Sequence, residues 1–165
     1  MTMTEALPRY ANKGQRRKLE AQWLAALENG VYHPASIQPQ GAAPPQLFDA
    51  VRLFNAGLYW ECHEVLEEVW LDTPYPQRFF WSALIKLAVG MHHAARRNTH
   101  GARVKIGDAV RLLPLFQPNF AGVDTAAALS DALRLQQALR AQPIDWSAIA
   151  NMCQPVIIVQ LQCEG

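Results

Sequence analysis

The chain has 165 residues and a mass of 18.5 kDa, is half hydrophobic and only 18% charged, against roughly 25% in ordinary soluble domains. That excludes long disordered tracts and suits one packed domain over 1–165. Fifteen basic and fourteen acidic side chains leave a formal charge of +1, so net charge announces neither a nucleic-acid nor an acidic-membrane partner.

Residues 1–45 read as an N-terminal helix and a linker. The first twenty carry Arg9, Lys13, Arg16, Arg17 and Lys18 without the apolar run of roughly 7 to 15 residues that a signal peptide needs. Without stacking aromatics this basic stretch reads as a solvated terminus, not a nucleic-acid arm. Leu19, Ala21, Trp23, Leu24 and Leu27 recur at helical spacing and Gly30 follows as a C-cap, which predicts a helix over 14–29. Trp23 is expected to anchor it to the body or to a second subunit, in a homodimer formed through Trp23 and the central hairpin. Pro34, Pro39, Pro44 and Pro45 mark 31–45 as an extended linker.

The core is expected over 46–114. Leu47, Val51 and Phe54 share a helical face, Asn55, Ala56 and Gly57 supply a turn, and a second helix runs from Trp60 to Leu71. Phe79–Arg97 is apolar nearly all round and reads as the most buried helix. Asn98 suits its left-handed end and Thr99 the next N-cap. The following helix passes Val104, Ile106, Ala109, Val110 and Leu113 until Pro114 and Pro118 stop it. In the extension 115–165, Asp124 caps a helix reaching Ala141 and Asp145 starts a short one, while Val156–Leu161 fits strand or helix equally. No stretch approaches the roughly 20 apolar residues that span a bilayer.

Shifted so that Gly57 falls on Arg97, the chain repeats itself weakly, with Cys62 landing on Ala102. Both segments join two helices through a tight turn, as in tetratricopeptide-like hairpins. Gly101 and Gly107 are poor helix residues, so the pattern predicts two stacked helical hairpins in an all-α bundle and not a long repeat array.

The densest chemistry is Trp60-Glu61-Cys62-His63-Glu64-Val65-Leu66-Glu67-Glu68-Val69-Trp70, which holds four of the fourteen acids. On a helical wheel Cys62, Val65, Leu66 and Val69 form the apolar side, Glu64, Glu67 and Glu68 the acidic side, and His63 the boundary beside Trp70. His63 and Glu67, four apart, can turn a nitrogen and an oxygen toward one divalent cation. Glu64 can add a ligand or fix the imidazole tautomer. The second histidine of the zinc-protease HExxH is Glu67 here, so a zinc protease is not supported. The competing reading is structural. Residues 78–111 hold Arg78, Lys86, Arg96, Arg97, Arg103, Lys105 and Arg111 against one acid, Asp108, and the acidic helix can dock on them.

On the central helix His92 shares a stripe with Trp81, Ile85 and Ala88 and faces the interior, where it can reach His63 from a neighbouring helix or bond a backbone carbonyl. His93 points with Lys86 and Arg97 to a polar edge. His33 and His100 lack partner spacing. Cys62, Cys153 and Cys163 form no CxxC pair, which fits a reducing cytoplasm and excludes a ribbon-type zinc site. No GxGxxG, GxxxxGK[ST] or GxSxG run is present.

FNAGLYWECHEVLEEVW at 54–70 and RFFWSALIKLAVGMHHAARRNTHGA at 78–102 resemble a bacterial and archaeal family known as domain of unknown function 309, over Leu53 to about Leu113. The resemblance implies a small all-α bundle whose signature falls on Phe54, Asn55, Glu61, His63, Glu64, Glu67, Trp70, Asn98, Gly101 and Ala102. It implies no reaction. Ser82 and Lys86 stand where members often carry glutamine.

Two functions follow as expectations. One is a divalent-metal site built by His63, Glu64 and Glu67 with Glu61 and His92, in which metal-assisted hydrolysis would use Glu64 and His63 as catalytic groups. The other is a non-catalytic interaction module whose helical groove is lined or locked by Glu61, His63, Glu64 and Arg97.

Overall fold

The apolar run that starts at Phe79 becomes the centre of an all-α stack. The computed structural model describes residues 13–31, 33 and 43–152. Seven α-helices and no β-strand occupy these described residues: α1 (Lys13–Glu28), α2 (Pro45–Asn55), α3 (Tyr59–Asp72), α4 (Arg78–Ala95), α5 (Thr99–Leu112), α6 (Thr125–Arg140) and α7 (Trp146–Met152). From α2 onward each helix packs on the next in the chain, so α2–α3 and α4–α5 are two stacked hairpins and α6–α7 continue the pile. α4 is covered on both sides, and Phe80, Ala83, Leu84, Leu87, Ala88 and Met91 are buried around its circumference.

The repeat in the sequence is a repeat in geometry. At the end of α2, Leu58 N–H donates to the Leu53 carbonyl and Gly57 N–H to that of Phe54, each at 2.9 Å. At the end of α4, Asn98 N–H donates to the His93 carbonyl at 2.9 Å and Arg97 N–H to that of Ala94 at 3.0 Å. Gly57 and Arg97, the two residues superposed by the repeat, occupy the left-handed region at φ 77° and 55°, as this helix ending requires. Cys62 and Ala102 are both buried where the second helix of each hairpin meets its neighbours.

The turn differs from expectation by one residue. Arg97, not Asn98, takes the left-handed position, and Asn98, not Thr99, is the N-cap of α5, because its Oδ1 accepts the Gly101 N–H at 3.0 Å. Gly101 is in the helix for space: a Cβ there would lie 2.7 Å from the His93 ring. That ring sits over Gly101, with Nδ1 3.2 Å from Asn98 Nδ2, so His93 locks the α4–α5 turn and does not line a polar edge.

Other boundaries follow their residues. α5 stops at Leu112, and Pro114 lies inside a 3-10 turn, Leu113–Phe116. Asp124 caps α6 through the Ala127 N–H at 2.9 Å, and Asp145 accepts the Ala148 N–H at 3.0 Å at the start of α7. Val156–Leu161, Cys153, Cys163, Arg9 and most of the linker lie outside the described residues.

α1 is tied to its own chain. Trp23 is 2% exposed and stacks on Tyr75 with centroids 6.5 Å apart. The Tyr75 hydroxyl donates to Glu20 Oε1 at 2.7 Å, and the Arg111 guanidinium grips both oxygens of Glu28 at 2.7 and 3.2 Å. Trp23 therefore anchors the helix to the body and is not free to contact a second subunit.

Candidate functional site

The register of α3 sorts its side chains as their polarity demands. Cys62 and Leu66 are buried, His63 is 8% exposed, and Glu61, Glu64, Glu67 and Glu68 face solvent. His63 Nδ1 hydrogen-bonds the Trp60 carbonyl one turn back. As that nitrogen must donate to a carbonyl, the lone pair of the neutral ring sits on Nε2. Nε2 stands 3.9 Å from Glu67 Oε1, so the spacing of four does bring an imidazole nitrogen and a carboxylate together. The carboxylate can balance a cation or a proton at Nε2.

The structure also brings His63 and His92 to a common neighbour, the indole of Trp60. Its centroid lies 4.3 Å from the His63 ring and 5.0 Å from the His92 ring. His92 is not an interior residue: it is half-buried, where α4 meets the start of α3. Burial pushes its pKa below the ordinary histidine value, and the charges of Arg96, His93 and His63 push it further while Glu61 opposes them. His63, His92 and Glu61 are therefore electrostatic neighbours, whereas Glu64 and Glu68 project outward from α3. Among the described residues no three of His, Cys, Asp and Glu gather into a set able to hold a metal ion.

Several residues expected at this face are elsewhere. Arg97 lies over Trp146 of α7, 6.0 Å from the ring centroid. The buried Arg78 closes the end of α3, with Nε donating to the Thr73 carbonyl at 2.7 Å and Nη2 to that of Leu71 at 3.0 Å. Its guanidinium packs over Trp70 and Tyr75. Arg103 donates twice to the Leu139 carbonyl at the end of α6, Lys86 pairs with Asp108 and Arg111 with Glu28. These basic side chains are thus committed away from the α3 carboxylates. Cys62 is a core residue, its thiol pushed up to about 12 by burial, and has no nucleophilic character.

Sequence reasoning passed over Trp60. It is 46% exposed, and Leu58 beside it is 47% exposed. A signal was present: at about 100° per residue Trp60 falls between Glu67 and Glu64, in the middle of the acidic face of α3, where a large apolar side chain has no core to fill.

Residues 47–104 match the family described as Domain of unknown function (DUF309), which covers most of α2, all of α3 and α4 and the first part of α5. Uncharacterized protein YpuF of Bacillus subtilis (strain 168) is 43% identical over 56 residues, 33% of this chain and 32% of that protein. The matched segment thus spans about a third of the curated relative. No solved structure matches the chain. No helix among the described residues is long and apolar enough to cross a membrane.

Proposed function

We propose that this chain, whose residues 47–104 match that family, is a helical binding module that holds a basic segment of a partner protein on the outer face of α3. The observation that carries the reading is the exposed Trp60 indole, seated on the rings of His63 and His92 amid the carboxylates of α3. A tryptophan fixed by its neighbours loses little freedom on binding and anchors interfaces out of proportion to its number. Its face attracts guanidinium and ammonium groups, and the surrounding carboxylates steer a cationic segment toward it. The test is calorimetric titration of an arginine-rich peptide, with a glutamate-rich peptide of equal length as control. Trp60→Ala is expected to weaken binding of the basic peptide at least about tenfold, the loss of one interfacial hot spot, with little change in melting temperature. Equal binding by both proteins, or by both peptides, would overturn the reading.

A second reading, a divalent-cation site with Glu64 as the base of a metal-assisted hydrolysis, is favoured by the open Nε2 of His63 beside Glu67 and by the closeness of His92. Metal analysis by plasma mass spectrometry on untagged protein prepared without chelator separates the two. A stoichiometric cation that disappears in a His63→Ala, Glu67→Ala double variant supports the site. Protein that is metal-free and takes up no added zinc, manganese or iron leaves the binding module. A homodimer fits either reading, and a monomeric mass by light scattering at working concentration removes it.

A further inference from the structure

α3 packs against α2 and α4 and turns its remaining side outward. At about 100° per residue, Trp60, Glu64, Glu67 and Leu71 fall within about 60° of one another on that side, in the order i, i+4, i+7, i+11. The two ends of this stripe are apolar and open to solvent, Trp60 being 46% and Leu71 39% exposed. Carboxylates stand between them, with Glu61 and Glu68 exposed on the flank. Glu67 faces the His63 ring at 3.9 Å, whereas Glu61, Glu64 and Glu68 are paired with no basic side chain among the described residues. At about 1.5 Å per residue, Glu64, Glu67 and Leu71 lie roughly 6, 10 and 16 Å along the axis from Trp60. A second helix laid alongside has the same rise, so its own i, i+4, i+7, i+11 stripe meets all four in step. Same-side residues of an extended strand recur about every 6.6 Å and are out of step by Glu67.

We propose that the partner segment is an amphipathic α-helix with apolar side chains at i and i+11 and arginine or lysine at i+4 and i+7, laid along α3 from Trp60 to Leu71. This rests on the reading of α3 as a docking face for basic segments and adds the partner's form and register. The apolar ends cover Trp60 and Leu71, as spaced anchors do when a helix is recognised. The two cations meet Glu64 and Glu67, and Glu61 and Glu68 add to the attraction from the flank. The order reads the same in both directions, so a parallel and an antiparallel helix both fit. None of the described helices of this chain carries it, so the occupant is another protein and not a second copy.

The experiment titrates three synthetic peptides into the full chain by calorimetry. One carries leucine and arginine in the stripe order, the second has the same composition with its arginines moved to the opposite helix face, and the third keeps the stripe order around a central proline that breaks the helix. The first is expected to bind at least about tenfold tighter than the other two, a margin of one interfacial hot spot, and to gain helix by circular dichroism as it binds. Leu71→Ser is expected to weaken the first peptide roughly threefold or more and to leave the other two and the melting temperature unchanged. Equal affinity for all three, lost in Trp60→Ala, would overturn the helical register and leave the basic-segment reading standing. No affinity for any of them removes both. A dimer by light scattering that Leu71→Ser dissociates, with no peptide bound by the parent, would assign the face to a second copy and so also overturn the proposal.

Discussion

His92 stands under two opposed demands, packing against the Trp60 ring and keeping its own charge near other cations. Because burial, Arg96, His93 and His63 hold its folded pKa below the value in the unfolded chain, the unfolded state binds more protons as the pH falls through that range. The neutral ring thus contributes stability above about pH 6.5, the ordinary histidine value, and that contribution is lost as the pH falls toward the folded value. The melting temperature is therefore expected to drop between pH 7.5 and 5.5, and His92→Gln is expected to flatten the profile; an unchanged slope in the variant would assign the dependence to other groups. The same residue shows what sequence can reach. The His63–Glu67 pair was readable because both lie on one helix at a spacing that fixes their separation. The meeting of His92 with Trp60 and His63, like that of Lys86 with Asp108, depends on how α3, α4 and α5 slide against one another, which no single-helix periodicity encodes.

At the scale of the helices, the same ending closes α2 and α4, with glycine in the left-handed position of one and Arg97 in that of the other. A side chain there costs roughly 1–2 kcal/mol, of which the greater freedom of an unfolded glycine would return roughly 0.5–1 kcal/mol. Arg97→Gly is thus expected to raise stability by about 0.5 kcal/mol, even after the exposed contact with Trp146 is lost. The reciprocal Gly57→Ala is expected to lower it, and thermal melts of both variants check the pair. Most helices were legible because polarity and caps agree, as with Asp124 and α6. The α4–α5 turn was read one residue late because asparagine suits both the left-handed position and the N-cap. The left-handed Arg97 and the hydrogen bond from the Gly101 N–H to Asn98 Oδ1 show which it fills.

Across the whole molecule, the segment that matches the family model forms the two hairpins that begin the stack, α1 straps its side, and α6 and α7 extend it. That a buried tryptophan anchors α1 was legible, but burial in sequence carries no label for whose surface does the covering. The structure gives Trp23 to Tyr75 of the same chain. Trp23→Ala is expected to cost about 3–5 kcal/mol, the usual loss for a large buried aromatic. It should also expose the basic residues of α1 to trypsin before the rest of the chain is cut. A variant that melts and digests like the parent would show that α1 does not depend on this anchor. The strap also differs from the stack in the distance its contacts bridge along the chain. α2 to α7 pair mostly with chain neighbours and can zip up in order, whereas Tyr75–Glu20 and Arg111–Glu28 join residues 55 and 83 apart. The entropy lost in closing such long loops delays those contacts. We expect α1 to dock last during folding, onto a hairpin pair that has already assembled.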